Sequence, residues 1–259
     1  MELQITAVEG FPLVEAGDDL AALILDALRR AAMELRSGDV VVVTGKVVSK
    51  AEGRLVDLAT IEPSARAERL GLETEKDPRL VELVLRESVD VIRARPGNLL
   101  VRHQLGYVSA MAGIDRSNVE GGDDVALLLP VDPDASASAI RASLHAVTGV
   151  WVAVVVTDSH GRPFRVGNTG VALGVAGLPA VRELEGRPDL YGRPLTAASV
   201  VPVADLVAST AMLISGEADE GRPVVVIRGL ELGEEDPSPG TMLLRPRDKD
   251  LFAVPDKEY

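Results

Sequence analysis

The chain has 259 residues, 46% of them hydrophobic, enough for one large core or two close lobes. With 40 acidic residues against 27 lysines and arginines its net charge is −13, which argues against nucleic acid and anionic membranes as partners. It has no cysteine, which excludes disulfides, thiolate nucleophiles and cysteine-ligated zinc.

The first residues, Met1–Val14, lack a basic start followed by an apolar stretch, so they do not read as a signal peptide, and the default compartment is cytoplasmic. Leu3–Val8 reads as a strand. Asp18 and Asp19 cap a helix whose Leu20, Leu23, Ile24, Ala27, Leu28 and Ala31 share one face, and Ser37-Gly38-Asp39 closes it. Val40–Val43 is a short, β-branched, wholly apolar run, the pattern of an interior strand. Helices follow near Pro63–Leu70 and Pro78–Val89, then strands at Leu99–Val101 and Gly106–Ala110. Gly113–Asp124 is a polar loop and Val125–Leu129 a strand. Asp132-Pro133 opens a helix that runs to Gly149, because Asp caps and Pro suits the first turn.

Trp151–Thr157 is the most apolar strand, and the apolar stretch around it, Val150 to Val156, is too short to span a bilayer. Asp158–Gly170 reads as a long loop rich in Gly and Arg, Val203–Ile214 as a helix and Val224–Ile227 as a last buried strand. Strands and helices mix without strict alternation, so the expected class is α+β rather than a doubly wound Rossmann sheet. No internal repeat, low-complexity tract or linker divides the chain.

Several familiar motifs fail. Thr44-Gly45-Lys46 is not a P-loop, because Val40 and Val47 stand where the pattern needs Gly and a hydroxyl residue. Gly170, Gly174 and Gly177 lack dinucleotide-fingerprint spacing. The acidic loop after Asp115 is not an EF-hand, since Val119 occupies a ligand position. His103, His145 and His160 have no zinc spacing.

Three segments carry chemistry-bearing residues. In Ala112–Asn118, Asp115 and Asn118 are hard oxygen ligands suited to Mg²⁺ or Mn²⁺, although the composition by itself fits a surface turn better. In Val156–Arg165, an apolar strand delivers Asp158 at its carboxyl end, beside the Ser159 hydroxyl and two phosphate-pairing cations, Arg162 and Arg165; an Asx turn with solvated arginines fits equally well. In Val47–Arg54, Lys50 and Arg54 could reach phosphates, against the plainer reading of an exposed Lys at a strand end. Asp189–Arg193 and Ser215-Gly216-Glu217 read as ordinary turns. Together the loops suit metal-assisted phosphoryl chemistry without naming a substrate.

Six stretches, taken in order over nearly the whole chain, resemble the coenzyme F420-0:L-glutamate ligase family. They are Val8–Val14, Ser49–Arg54, Ala112–Asn118, Thr157–Arg165, Asp189–Arg193 and Val224–Gly229. The resemblance implies a two-lobed α+β ligase, neither Rossmann nor P-loop, working as a homodimer. It implies GTP as co-substrate, L-glutamate and F420-0 as the other substrates, two Mg²⁺ or Mn²⁺ ions and K⁺. By position, Phe11, Pro12, Leu13 and Val14 line the GTP site, Lys50 and Asn118 contact the nucleotide, and Ser215, Gly216, Glu217 and Gly221 border it. Asp115 and Asp158 hold one metal, and Ser159 with Glu217 a second.

Gly45 and Lys46 depart from the small hydroxyl residues frequent there in the family, though Lys46 can itself bind phosphate, and His160 is given no role. The expected unit is 1–259 as a single catalytic body, without the nitroreductase-like domain some relatives append. Two alternatives remain at this level: a ligase of the same fold acting on another carboxylate, and a non-catalytic protein that binds GTP and metal.

Overall fold

Val40–Val43 are all buried, and this run lies at the centre of the computed structural model, which describes residues 2–119, 121–196, 200–216, 220–231 and 236–250. The strands are β1 (Gln4–Ala7), β2 (Val40–Thr44), β3 (Leu55–Asp57), β4 (Ser88–Arg95), β5 (Asn98–His103), β6 (Val108–Ala110), β7 (Val125–Leu127), β8 (Ala153–Gly161), β9 (Asn168–Ala176), β10 (Arg182–Glu183), β11 (Val200–Val201) and β12 (Val224–Arg228). The helices are α1 (Leu20–Arg30), α2 (Gly45–Ala51), α3 (Ala65–Thr74), α4 (Pro78–Arg86), α5 (Pro133–Thr148) and α6 (Val203–Ser215). The mixed α+β class is observed.

The main sheet has the order β1-β12-β2-β8-β9. Only β2 and β8 run parallel, in register from Val40 opposite Ala153 to Thr44 opposite Thr157. The period of two along each strand sorts the valines between two cores. Val41, Val43, Val154 and Val156 pack with α1, α5 and α2 on one face; Val40, Val42, Ala153 and Val155 pack with α6 on the other. Further clusters join α3 and α4 to β4 and β5, and Leu80 and Leu83 to Leu58, Ala126 and Leu128. Asp39, only 1% exposed, receives two bonds from Arg228 at 2.8 and 2.7 Å, which clamps the end of β12 to the start of β2.

The outer edge of β9 is sealed by side chains rather than by a strand, which removes a template for further pairing. Asp205 of α6 accepts from the Ala172 N–H at 2.9 Å, and Asp134 of α5 accepts from the Val175 N–H at 2.7 Å. The Tyr107 hydroxyl donates to the Leu173 carbonyl. Burial pushes the Asp205 carboxyl above its ordinary value even though the Ala172 N–H lowers it.

Several expectations are corrected. α1 ends at Arg30, seven residues before Ser37, because Ala31 and Ala32 leave the helix, Ala32 with a positive φ. Val47–Ala51, expected as a loop after a strand, belongs to α2, since burying Val47 and Val48 in the core overrides their β preference. Asp158–Gly170 is not a long loop: β8 continues to Gly161 and returns as β9, with Gly161 opposite Asn168. The helix expected to reach Val89 stops at Arg86, and Ser88–Arg95 is the unforeseen strand β4. The short strands β3, β10 and β11 were also unforeseen. Among the described residues no helix is long and apolar enough to cross a membrane.

Candidate functional site

The pairing of β2 with β8 ends at Thr44 opposite Thr157, and beyond it the two strands part: β2 ends, while β8 continues to Gly161 against β9. At Thr44 the chain turns straight into α2 with no glycine-rich loop. Gly45 fits closely there, since a Cβ would lie 3.3 Å from the Thr157 carbonyl and 3.3 Å from the Leu173 side chain. On β8 the residue after Thr157 is Asp158. Carboxyl ends of adjacent parallel strands are where open sheets gather ligand groups.

Lys46 and Lys50 lie one turn apart on α2 and so face the same way. Both reach the loop after β6. Lys46 Nζ is 2.6 Å from Asp115 Oδ2 and 3.1 Å from both the carbonyl and the hydroxyl oxygen of Ser117. Lys50 Nζ donates to the Asn118 carbonyl at 2.8 Å. Asp115 is fixed further by a backbone bridge to Leu127 and by the Ser117 N–H and hydroxyl, which donate to Oδ1 at 2.7 and 2.8 Å. Burial alone would raise the Asp115 carboxyl. The bonds from Lys46 and Ser117 outweigh burial and hold it below the ordinary range, so it is a carboxylate at neutral pH.

Asp158 Oδ2 lies 3.1 Å from His160 Nε2. Two residues apart on β8, the pair shares the face of Val154 and Val156. There the edge of the Tyr107 ring meets the His160 ring at 6.3 Å and 79°. Ser159 alternates to the opposite face and is exposed, so it does not converge with Asp158. Arg162 bonds the Asn168 carbonyl across the hairpin at 3.3 Å, and the tip carries Phe164 at 90% exposure with φ +61°.

The loop Phe11–Val14 joins β1 to α1. Val14 is buried and Phe11 packs against the same core, whereas Leu13 is 89% exposed. This loop rests on α2, with the Gly17 N–H donating to the Ala51 carbonyl at 2.8 Å. Pro223 accepts from the Thr44 N–H at 2.9 Å and Arg222 pairs with Glu9 at 2.9 Å, so neighbouring Gly221 lies at the same sheet end. Ser215 and Gly216 close α6. Glu217 lies outside the described residues. Asp189–Arg193 is a turn in which Asp189 Oδ1 accepts from the Tyr191 and Arg193 N–H groups at 2.8 and 2.9 Å.

The donor chemistry fits a hard divalent ion. Among the described residues no three acidic, His or Cys side chains gather in one place. An ion here would therefore take one or two carboxylates from the protein and the rest of its shell from phosphate and water, a common arrangement for Mg²⁺. Asp115 and Asp158 are the carboxylates here that could serve as those one or two ligands.

The sequence does not reveal the pairing of Lys46 with Asp115 or of His160 with Asp158. Lys46 was weighed only against phosphate, although it holds Asp115. His160 and its partner Tyr107 were left without a role, and the signal that finds His160 is its spacing of two from Asp158 on a continuing strand.

Comparison with known proteins identifies the family of the chain. The chain is 46% identical over 253 residues to a protein named coenzyme F420:L-glutamate ligase from Methanothermobacter thermautotrophicus, covering 97% of this chain and 99% of that one. A protein of the same name from Methanopyrus kandleri is 44% identical over 251 residues, 95% of this chain and 96% of its own. One from Halobacterium salinarum is 48% identical over 238 residues, 90% of this chain and 89% of its own. The family model described as F420-0:Gamma-glutamyl ligase matches residues 10–229, a span that holds β2, α2, the Asp115 loop and β8, and the chain belongs to that family.

Proposed function

We propose that this protein is a GTP-dependent ligase that joins the amine of L-glutamate to the lactyl carboxylate of coenzyme F420-0. Further glutamates would be added through γ linkages by the same chemistry. Its relatives' names support the glutamate and F420 parts of this reading. The observation that carries the phosphoryl part is the pair of ammonium groups, Lys46 and Lys50, gripping the Asp115 loop from the helix that starts where β2 leaves β8, one residue before Asp158.

A carboxylate does not react with an amine at neutral pH until one of its oxygens becomes a leaving group. The lactyl carboxylate oxygen attacks the γ-phosphorus of GTP, the bond to the β-phosphate oxygen breaks, and GDP leaves. The glutamate nitrogen then attacks the acyl carbon, phosphate departs, and the nitrogen loses a proton. Lys46 and Lys50 orient phosphate oxygens, and Asp115 and Asp158 hold the Mg²⁺ or Mn²⁺ that, when bound, neutralises charge building on those oxygens. Ser159 and Glu217 are assigned to a second ion, with K⁺ as an accessory ion. The Phe11–Val14 loop, Asn118 and the Ser215–Gly221 segment form the nucleotide surroundings. No enzyme nucleophile is required, in keeping with a chain that has no cysteine.

The working form in this reading is a cytoplasmic homodimer. The hairpin tip with Phe164 and Val166 and the turn with Leu190 and Tyr191 each expose two apolar side chains, and exposed apolar groups of this kind supply the surface a dimer interface would cover. Mass spectrometry after mixing the protein with GTP, Mn²⁺, L-glutamate and F420-0 tests the activity. A gain of one or more glutamyl units is expected. No gain beside an active control enzyme would refute it, and a gain only on a different carboxylate would move the substrate but keep the chemistry.

A further inference from the structure

His160 is nearly buried, its side chain 12% exposed, while Asp158 beside it is 30% exposed. A carboxylate only accepts, so the His160 Nε2 that faces Asp158 Oδ2 carries the ring hydrogen. The other carboxylate oxygen, Oδ1, has no hydrogen-bond partner among the described residues. The ring is braced in turn. Tyr107 is buried, meets His160 edge to face, and is anchored through its hydroxyl to the Leu173 carbonyl on the sealed edge of β9. Asp205, which caps that edge, also lies within electrostatic reach of His160. A line of contacts thus runs from the rigid sheet edge through Tyr107 and His160 to one oxygen of a carboxylate at the mouth of the site.

We infer that His160 is a positioning residue: it fixes the Asp158 carboxylate so that the second oxygen, Oδ1, is presented to the divalent ion. This rests on the reading of Asp158 as a metal ligand. The physical reason is entropic and directional. A partly exposed Asp side chain just past the end of the β2 pairing samples several rotamers, and a ligand that must first be ordered binds its ion less tightly. Carboxylate ligands held by an outer hydrogen bond avoid that cost, and loss of such a partner typically weakens metal affinity by about 10–100-fold.

The test is Mn²⁺ binding to the full-length protein, followed by loss of the free-ion electron paramagnetic resonance signal, with turnover measured separately. His160→Phe keeps a ring against Tyr107 and removes the donor; it should weaken Mn²⁺ binding by about 10–100-fold. His160→Gln, which returns an N–H at similar reach, should restore most of that loss, a rescue that mere packing would not give. His160→Leu provides the same comparison should the Phe variant fold poorly. Asp158→Asn separates the two ideas. Parental Mn²⁺ affinity in His160→Phe or His160→Leu, beside an Asp158→Asn protein that has lost the ion, overturns the positioning role and leaves the ligand assignment standing. Parental affinity in Asp158→Asn overturns both.

Discussion

Lys46 and Asp115 form an ion pair at 2.6 Å that ties the first turn of α2 to a loop about seventy residues further along the chain. Both side chains retain partial solvent access, 27% and 39%, so the pair adds little to stability. Its consequence is placement: it sets a carboxylate and an ammonium together at the end of β2.

Replacing Lys46 therefore separates stability from function. Lys46→Met should change the unfolding free energy by no more than about 1 kcal/mol, the range of exposed ion pairs. It should raise the KM for GTP by roughly tenfold or more, because a hydrogen bond to a charged group contributes about 1.5–3 kcal/mol. Thermal melts and steady-state kinetics on the same preparation check both halves, and an unchanged KM would remove Lys46 from the phosphate site.

Asp115→Asn and Asp158→Asn keep side-chain shape and remove the charge that a metal needs. Each is expected to lower glutamyl transfer by roughly 10²–10³-fold, the scale seen when one preorganised electrostatic group is lost. Circular dichroism should be unchanged. Near-normal turnover in both variants would sink the metal assignment.

Two glycines on β9 report how closely the helices approach the sheet. At Gly174 a Cβ would lie 2.0 Å from the Pro133 carbonyl oxygen, and at Gly170 one would lie 2.5 Å from the Ala208 carbonyl oxygen. Both obstacles are backbone and cannot swing aside. Gly174→Ala and Gly170→Ala should each cost about 1–3 kcal/mol or more in denaturant titrations. At Gly161 a Cβ would meet only the Asn168 side chain at 3.8 Å, so Gly161→Ala should stay within about 0.5 kcal/mol of the parent.

Glu87 gives a pH signature. The His103 ring, 3.5 Å away and so an electrostatic neighbour rather than a hydrogen-bond partner, holds its carboxyl below the ordinary 4.5. Burial opposes this, and Arg54, bonded at 2.8 Å, adds to the lowering. For an acid whose folded value is depressed, the stabilisation is present above 4.5 and is lost as pH falls through the folded value. Glu87→Gln should therefore be less stable than the parent at pH 7, by about 1–3 kcal/mol. The gap should close as urea titrations move below pH 4.5. A gap that stays constant with pH would show that packing, not charge, supports this junction.

What the sequence determined by itself was whatever depends on local pattern. The β2 and β8 strands, the Asp19 cap of α1 and the Asp132-Pro133 start of α5 were all legible, because apolar runs and capping residues act over a few positions. So was the loop bearing Asp115, although its composition alone fitted a surface turn better than a site. Tertiary structure decided the rest. α2 is a helix although its valines favour strands, because Val47 and Val48 gain more by entering the core than their local preference costs. Asp158–Gly161 looked like loop and became strand, since hydrogen bonding to β9 is a relation between segments. Lys46 with Asp115, and His160 with Tyr107, are contacts between residues far apart in the chain. Periodicity carries no information about such pairs. They form only when the parallel pairing of β2 and β8, the face of α2 and the sealed edge of β9 are brought into one place.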